Sequence, residues 1–452
     1  MIDTRYNESE IKQLEYYLEQ RDFKSLIAAL REEHEVDVAD FMEILPDDKT
    51  AFVFRMLPKE MSADVFANLE PETQQRVVES FSDAETTSML NDLFIDDAVD
   101  FIEEMPANMV NRLLRLTPPE KRKIINRYLQ YPEDSAGSIM TSEYTRLKKD
   151  MTVADAIAHL REFGEDRETI YTCYVTDDFR ILEGVISVRS LLLSNDAEVI
   201  SDIMQKEIIF ATTDMDQEEV VQKMHRYDLL SLPVVDRENR LVGIVTVDDA
   251  VDIIQEEATE DFEKMAAMSP SERPYLKTPA WILGRKRIVW LLFLMLSGML
   301  NGLILQSNEA AFIAYPLLVS FIPMLTDTGG NVGSQTSTLM IRGMMLGEIK
   351  FSDIFKVIRK ETATSLMMGL ILAGINFLRV FLLDGSLIAA IILSLSMMVT
   401  VFIAAFIGGV LPLVASKLKV DPAIMAAPLI TTIVDAISLF IYFGIARTLL
   451  LI

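Results

Sequence analysis

The C-terminal part of the chain carries its apolar residues in long runs. These cover residues 288–306, 311–341, 363–383, 387–415 and 423–446. A helix rises about 1.5 Å per residue and needs about 20 residues to cross the hydrocarbon core of a membrane, so each run is long enough. The pattern predicts five membrane-spanning α-helices.

The N-terminal part shows shorter, periodic elements. From residue 41 to residue 130, apolar residues recur at helical spacing between prolines, which predicts short helices in a right-angled or superhelical stack. The prolines are Pro46, Pro58, Pro71, Pro106 and Pro118. Residues 136–198 and 199–254 then share the order helix, strand, strand, helix, with β-branched strands. They are predicted to be an α/β repeat.

Charge divides the chain where hydropathy does. Residues 274–452 contain 13 basic and 8 acidic side chains, a net +5; the whole chain contains 42 and 68, so residues 1–273 contain 29 and 60, a net −31. An acidic surface repels phosphate and gathers cations, which argues against nucleic acid as a partner. One cysteine, Cys173, and three histidines exclude a disulfide framework and a soft-metal cluster. Any bound metal is expected to have oxygen ligands.

Basic residues predict the orientation of the spans. They precede the first span, follow the second and precede the fifth, whereas the other two connections contain Glu309 and Asp384. The positive-inside rule then places the N-terminal 280 residues in the cytoplasm and the C-terminus outside. The opening MIDTRYNESE lacks the basic and apolar regions of a signal peptide, so export of the acidic part is not expected. We expect a multi-pass protein of the cell membrane.

The second apolar run ends in a polar, glycine-rich stretch, TDTGGNVGSQTST, at residues 326–338. It precedes Arg342 closely enough to lie within the membrane or at its inner edge, where polar groups persist only if buried in protein or lining water. Gly329, Gly330 and Gly333 would let backbones approach closely or expose carbonyl oxygens. The stretch is either an ordinary loop after a short span or the lining of a pore, and the glycines favour the pore.

A carboxylate lies inside the fifth apolar run. Asp435 would cost at least about 2.5–3.5 kcal/mol if ionised there, and its span has no basic residue at that depth. Pro428, Thr431 and Thr432 share its helix face, and Pro428 would leave the carbonyl of Ile424 free as an oxygen ligand. A cation in a wet cavity is the favoured partner. The alternative is a protonated Asp435 hydrogen-bonded to a neighbouring helix.

Oxygen ligands suit a hard divalent cation. Mg²⁺ sheds water reluctantly and is usually held by one or two carboxylates with several waters retained. One Asp435 per chain supplies too little charge for a 2+ ion, whereas a twofold axis would bring two together. The sequence therefore predicts a homodimer with the pore on its axis.

An acidic helix is predicted directly before the membrane part, at residues 248–268. Its carboxylates are Asp249, Asp252, Glu256, Glu257, Glu260, Asp261 and Glu263. Such a run is usually a solvated helix face. Because this helix leads into the first span, repulsion among its carboxylates and binding of Mg²⁺ would change domain positions. Asp96 and Asp100, four residues apart on a predicted helix, are a further acidic pair that a cation would stabilise.

The α/β repeat resembles a tandem pair of cystathionine-β-synthase-type (CBS) domains. The resemblance rests on TVADAIAHL, YTCYVTD and LEGVISVRSLL in the first copy and on LPVVD and LVGIVTVDDAV in the second. It implies face-to-face pairing and, in many such families, binding of an adenine nucleotide such as ATP. Gly243, Thr246 and Asp249 meet the nucleotide pattern, whereas the first copy has Ser190 at the aspartate position. Nucleotide binding is therefore a side hypothesis.

The whole chain resembles the MgtE-type magnesium transporters. The motifs are GGNVGSQTSTLMIRG (329–343), QEEATEDFEKM (255–265) and DPAIMAAPLITTIVDAISLFIYF (421–443). The resemblance implies a multidomain membrane protein. Its parts would be an acidic, α-helical superhelical domain at 1–135, CBS domains at 136–198 and 199–254, an acidic linking (plug) helix at 255–280 and a five-span α-helical transmembrane domain at 281–452.

The same resemblance implies a homodimeric, Mg²⁺-selective channel-like importer that closes at high cytoplasmic Mg²⁺. Pore roles would pass to Asp435, Thr431, Ala427, Gly329, Gly330 and Asn331. Regulatory Mg²⁺ ligands would be Asp96, Asp100, Asp216, Glu218, Asp228, Asp249, Asp252, Glu257, Glu260, Asp261 and Asp421. Two departures leave selectivity over Co²⁺ or Mn²⁺ open: Ser438, where the family commonly has Gly, and Ala427, where some members are polar.

Two other functions compete with this prediction. A non-transporting membrane regulator whose CBS pair senses a nucleotide would need no carboxylate in mid-membrane. A secondary transporter coupled to Na⁺ or H⁺ would share the membrane site but need a second gradient. The sequence has no GxxxxGK[ST] loop and no visible nucleophile–base pairing, so neither a pump nor an enzyme is expected.

Overall fold

The computed structural model describes residues 4–271, 275–276, 278–309, 313, 315–425 and 427–450. The chain forms two compact units, residues 1–254 and 255–452. The first unit contains ten short helices followed by two small sheets, and the second contains the long apolar helices.

Short helices fill the described residues from 4 to 128. They are α1 (Thr4–Glu19), α2 (Phe23–Leu30), α3 (Glu35–Glu43), α4 (Asp47–Phe54), α5 (Ser62–Ala67), α6 (Pro71–Glu79), α7 (Asp83–Asp92), α8 (Ile95–Glu103), α9 (Ala107–Leu116) and α10 (Pro119–Tyr128). Pro71 is the first residue of α6, and Pro46, Pro106 and Pro118 directly precede α4, α9 and α10. Proline suits these positions because the first helical N–H groups need no partner. The prolines therefore predicted the starts of α4, α6, α9 and α10 correctly. The superhelical arrangement stays a prediction.

Two three-stranded sheets follow, with the same topology. In the first, β1 (Tyr144–Leu147) runs parallel to β2 (Thr169–Thr176), which pairs antiparallel with β3 (Leu182–Ser187). In the second, β4 (Ala211–Thr212), β5 (Ser231–Val235) and β6 (Leu241–Thr246) repeat the arrangement. The helices are α11 (Val153–Phe163), α12 (Val188–Leu193), α13 (Ile200–Ile203) and α14 (Gln217–Tyr227). Each copy thus has a leading strand that the sequence pattern did not predict.

Glycines let the two copies fit each other. A Cβ added to Gly184 in β3 would collide with the side chain of Met204, and one added to Gly243 in β6 would lie 2.8 Å from the carbonyl oxygen of Thr141. The segment that leads into each copy therefore packs against the last strand of the other copy. At Gly243 the neighbour is a backbone oxygen, so a larger residue there would require a shift of the backbone.

A single helix, α15 (Val247–Met265), begins directly after β6 and carries the predicted acidic run. It is continuous from the end of β6 to Met265, so the linking helix has no separate start at residue 255. Residues 272–274 and 277 of the predicted linking segment lie outside the described residues.

Five long helices follow α15 in the described part of the second unit. They are α16 (Ala280–Gln306), α17 (Ile322–Met345), α18 (Ile354–Asp384), α19 (Leu387–Lys417) and α20 (Ala427–Leu450). Among the described residues, four helices are long and apolar enough to cross a membrane, namely all except α17. Helix α17 contains the polar glycine-rich stretch, so a crossing by α17 stays a prediction.

The structure corrects two details of the predicted spans. Residues 326–338 are neither a loop nor irregular backbone but the middle of the continuous helix α17. Pro428 is the second residue of α20, preceded by a 3₁₀ turn at Pro422–Met425. A proline in the first turn breaks no helical hydrogen bond, so Pro428 lies at the start of a helix and not within one, and the Ile424 carbonyl as an oxygen ligand stays a prediction.

Small residues bring the membrane helices together. A Cβ on Gly408 of α19 would collide with the carbonyl oxygen of Gly333 in α17 and lie 3.1 Å from Thr336 Cβ. A Cβ on Gly333 would lie 2.7 Å from Ile430 of α20. Helix α17 therefore contacts α19 and α20 at backbone distance, as small residues allow in membrane helices.

Candidate ion site and acidic clusters

A polar cavity of about 310 Å³ lies between α17 and α20. Its lining is formed by Pro323, Thr326, Asp327, Gly330, Asn331, Thr431 and Asp435. An octahedral shell of six waters, at about 30 Å³ of liquid volume each, takes about 180 Å³. The cavity therefore has room for a divalent cation that keeps its first hydration shell.

Asp435 and Thr431 face this cavity from α20, one helical turn apart. Thr431 donates its hydroxyl hydrogen to the carbonyl oxygens of Ala427, at 2.9 Å, and Pro428, at 3.0 Å. The hydroxyl proton is thus directed to the backbone, and the lone pairs of the oxygen stay available to a cation or its water. Ala427 lies outside the cavity lining, and its carbonyl oxygen accepts this hydrogen bond.

The glycine-asparagine stretch divides between two faces of α17. Gly330 and Asn331 line the cavity, whereas Gly329 is turned away from it. A Cβ on Gly329 would lie 2.7 Å from Thr400 Cγ2 and 3.0 Å from Ser438 Oγ. Gly329 therefore serves helix packing, and the family departure at Ser438 is a buried hydroxyl against this glycine.

A lysine connects the end of α15 to the segment before α20. Lys264 Nζ lies 2.7 Å from Glu260 Oε1 and 2.7 Å from Asp421 Oδ2. Burial lowers the pKa of Lys264, but its hydrogen bonds to Asp421 and Glu260 outweigh burial and raise it. Asp261 is nearby, and burial followed by the charge of Asp421 raises its pKa to about 6. Two predicted Mg²⁺ ligands, Glu260 and Asp421, thus contact one ammonium group, and a third, Asp261, lies within electrostatic reach of it.

The residues of the nucleotide pattern have local structural roles. Thr246 Oγ1 donates a hydrogen bond to the carboxylate of Asp249 at the start of α15. Gly243 allows the contact with Thr141 described above. In the first copy, Ser187 and Ser190 hydroxyls form the corresponding pair at 2.8 Å. The pattern is therefore compatible with nucleotide binding but does not require it.

Four carboxyl groups of the first unit influence one another electrostatically: Asp96 and Asp97 of α8, Glu168 before β2, and Asp249. Burial and then the charges of the neighbouring carboxylates raise the pKa of Asp96 well above its ordinary value. Burial likewise raises the pKa of Asp97 and Asp249 to about 6 and of Glu168 to about 8. Raised pKa values mean that the folded form holds extra protons between about pH 4 and pH 8, so the free energy of unfolding falls as pH rises through that window. A cation bound at this carboxyl cluster would offset the fall in the free energy of unfolding.

The other predicted regulatory ligands are spread over the helices. Asp216 caps α14 by accepting the N–H of Glu218 at 3.0 Å, and Asp228 ends α14 with a φ of 52°. Asp252 is exposed on α15, Glu257 lies five residues further along the same helix, and Asp100 is exposed on α8 while Asp96 is buried. Among the described residues, no three His, Cys, Asp or Glu side chains form a group that could hold a metal ion.

Sequence reasoning missed four charged residues of these sites. Asp327 lines the cavity, Asp97 and Glu168 belong to the carboxyl cluster, and Lys264 contacts Glu260 and Asp421. Asp327 stands in a polar stretch that resembles a loop, and its signal was the four-residue spacing to Asn331. Asp97 and Glu168 reach the carboxyl cluster through tertiary packing, which no spacing indicated. Lys264 follows Glu260 by four residues, the spacing of a helical ion pair.

Family models match most of this architecture. The model for the divalent cation transporter domain of MgtE matches residues 322–445, the one for the MgtE intracellular N domain matches 33–134, and the CBS domain model matches 136–194 and 200–256. The first match includes both helices that line the cavity. The second and third cover most of the first unit.

Two curated relatives match along nearly their whole length. The magnesium transporter MgtE of Thermus thermophilus is 36% identical over 441 residues, which is 97% of this chain and 98% of that protein. MgtE of Bacillus subtilis is 34% identical over 94% of this chain and 93% of its own length.

Solved structures resemble the first unit. The cytosolic domain of the Mg²⁺ channel MgtE in complex with ATP is 35% identical and has a TM-score of 0.52, covering 54% of this chain and 99% of that chain. The soluble part of a magnesium transporter is 30% identical with a TM-score of 0.53, covering 56% of this chain and 99% of that chain. Identity above 30% along the whole of a full-length relative shows that this chain belongs to the MgtE family of magnesium transporters.

Proposed function

We propose that the protein is a Mg²⁺-selective, channel-like importer of the cell membrane that closes when cytoplasmic Mg²⁺ is high. The observation that carries this proposal is the polar cavity between α17 and α20, which holds Asp435 on a helix that is otherwise apolar enough to cross a membrane. A carboxylate is retained at such a place when it compensates a charge. A hydrated 2+ ion fits both the volume and the oxygen ligands of the cavity.

The membrane voltage is sufficient to drive influx. Each elementary charge that moves inward across an inside-negative 100 mV gains about 2.3 kcal/mol, so a 2+ ion gains about 4.6 kcal/mol. In our proposal the N-terminal part is cytoplasmic, five helices cross the membrane and two subunits face each other across a twofold axis. The segment before α17 and the end of α20 would then lie on the outer side.

Regulation would act through the carboxylates of α15 and of the first unit. Without Mg²⁺ these groups repel one another, and bound Mg²⁺ would draw them together and favour the closed pore. The proposed ligands are Asp96, Asp100, Asp216, Glu218, Asp228, Asp249, Asp252, Glu257, Glu260, Asp261 and Asp421. Mg²⁺ retains several waters, so each ion needs only one or two of them.

Ion flux into liposomes that contain the purified full chain tests this function. Mg²⁺ influx should follow an imposed inside-negative potential, persist without a Na⁺ or H⁺ gradient and stop when Mg²⁺ on the cytoplasmic side is raised. Loss of flux when only a Na⁺ or H⁺ gradient is collapsed at fixed voltage would indicate a secondary transporter instead. A sealed vesicle with no Mg²⁺ flux would favour the nucleotide-sensing regulator.

When Mg²⁺ is absent, Lys264 is expected to hold the end of α15 against the segment before α20, because its ammonium group bridges Glu260 and Asp421. In Lys264→Met the two carboxylates lose this counter-charge. We expect protease cleavage at residues 255–265 to become several-fold faster in Mg²⁺-free buffer and to return to the wild-type rate when millimolar Mg²⁺ replaces the missing charge. The measurement is a time course of limited proteolysis.

The matched control for this experiment is Lys223→Met, which removes a lysine that lies 3.8 Å from Glu219 on α14. It should leave cleavage at 255–265 unchanged. Equal cleavage of the Lys264→Met and wild-type chains without Mg²⁺ would show that the bridge does not hold the helix.

ATP binding to the CBS pair is a second candidate, favoured by the ATP complex of a cytosolic domain that is 35% identical. Gly243, Thr246 and Asp249 are the proposed contacts. Calorimetric titration with ATP, with Asp249→Ala as the comparison, tests it; equal binding by both chains would remove Asp249 from the site.

A further inference from the structure

A second cavity, of about 370 Å³, lies where the segment that follows α15 meets the first turns of α16. Its lining is formed by Ser269, Trp281, Ile282, Arg285, Lys286 and Val289. The Ser269 N–H donates to the carbonyl oxygen of Lys286 at 3.3 Å, and Lys286 Nζ donates to the carbonyl oxygen of Pro270. These two hydrogen bonds hold the segment against α16 and form the cavity between them.

Two basic side chains border this cavity. Lys286 is half-buried and uses one of its donors on Pro270. Arg285 is exposed, and in the part of the chain that the structure describes its side chain has no ion pair and no hydrogen bond. Its guanidinium group offers N–H donors in a planar fork that matches the oxygens of a phosphate. Because the described lining contains no acidic side chain, the cavity favours an anion.

The cavity lies at one end of a helix that is long and apolar enough to cross a membrane. The ends of such a helix lie at the level of the lipid headgroups. Trp281, which is 67% exposed, has the amphipathic ring that is typical of this level. The anions that are concentrated there are the phosphate groups of lipids, and basic pockets beside membrane helices bind such headgroups.

An exposed apolar stripe continues from the cavity along α16. Val289, Phe293, Leu296 and Leu300 follow one another at helical spacing on one face, and each is at least half exposed. An acyl chain attached to a headgroup in the cavity would lie along this stripe. A free phosphate ion would contact none of it, so the stripe favours a lipid over a soluble anion.

We propose that this cavity binds an anionic phospholipid. Arg285 and Lys286 contact its phosphate, Trp281 packs against its glycerol region, and the apolar stripe of α16 contacts one acyl chain. The site is separate from ion transport and does not depend on it. Since Ser269 forms part of the wall, the bound lipid also stabilises the connection between α15 and α16.

Tryptophan fluorescence tests this proposal, because the chain has only two tryptophans, Trp281 and Trp290. In a full-length Trp290→Phe background, Trp281 reports on the cavity alone. The protein is placed in vesicles of phosphatidylcholine and phosphatidylglycerol, with bromine in the upper acyl chains of one lipid at a time. Quenching by each lipid gives their relative binding constant at Trp281. Each basic side chain near a membrane surface favours an anionic lipid about fivefold, so phosphatidylglycerol should bind at least about tenfold more tightly.

Arg285→Gln should reduce this preference about fivefold, whereas Arg285→Lys should keep most of it. The matched control is Arg287→Gln, which removes the same charge from an exposed position that does not line the cavity. It should change the preference less than about twofold. Unchanged quenching by phosphatidylcholine in every variant would show that each chain is inserted normally.

Four results would overturn the proposal. Equal losses in Arg285→Gln and Arg287→Gln would indicate general attraction to the membrane surface. Equal binding of the two lipids before any arginine is changed would show that the cavity does not select a charge. Loss of the preference on addition of inorganic phosphate would assign the cavity to a soluble anion. Absence of quenching by either lipid would show that protein, such as a second subunit, covers Trp281.

Discussion

Asp435→Asn is expected to reduce Mg²⁺ influx at least about a hundredfold. The negative charge of the carboxylate stabilises a 2+ ion that has moved from bulk water into an apolar helix bundle. An amide of the same shape supplies no charge. Influx into liposomes under an inside-negative potential is the measurement. The expected loss exceeds that of any other single substitution considered, because the residue would contact the ion on its path.

Stability distinguishes this effect from misfolding. A neutral amide costs less to bury than a carboxylate, so the variant should unfold at the same or a higher temperature than wild type in Mg²⁺-free detergent solution. Asp384→Asn controls for the loss of one negative charge. Influx at the wild-type rate in a folded Asp435→Asn protein would remove Asp435 from the ion pathway.

Gly408→Leu is expected to disrupt the membrane unit. The added side chain would occupy the space of the Gly333 carbonyl and of Thr336 Cβ, both in α17. Neither atom can move away unless the two helices separate. Overpacking in a well-packed core costs about 1–3 kcal/mol, and more where backbone blocks relaxation. We expect a lower unfolding temperature and a smaller yield of monodisperse protein in size-exclusion chromatography.

Gly374→Leu provides the control, because a Cβ at Gly374 of α18 meets nothing within 4 Å. Leucine also has a higher helix propensity than glycine, by up to about 1 kcal/mol. This variant should be as stable as wild type or more so. Equal unfolding temperatures for Gly408→Leu and Gly374→Leu would show that α17 and α19 tolerate a wider separation.

The sequence predicted the parts of the molecule that follow from local physics. Apolar runs predicted four helices that meet the requirements of a membrane span, and prolines marked where several short helices begin. Asp435 was identifiable as a candidate ion ligand because a lone carboxylate in an apolar helix needs compensation. These features depend on neighbours in sequence, which one chain displays directly.

The glycine-rich stretch shows where such reasoning ended. Each glycine lowers helix stability by about 1 kcal/mol relative to alanine, so residues 326–338 fitted a loop as well as a helix. Contacts of Gly329 with Thr400 and Ser438, and of Gly330 with Thr431, supply the packing that a helix with these glycines needs. The same packing made Asp327 part of the cavity.

The sequence by itself determined the composition of each part: an acidic unit with an α/β repeat, long apolar helices and one carboxylate within an apolar span. Only the tertiary structure decided which side chains share a space, such as Asp327 with Asp435 or Lys264 with Asp421. The physical reason is that hydrophobic periodicity specifies elements over a few turns of chain. Contacts between residues 100 or more positions apart depend on how whole helices pack. The presence or absence of a single Cβ at a small residue decides how closely two helices approach.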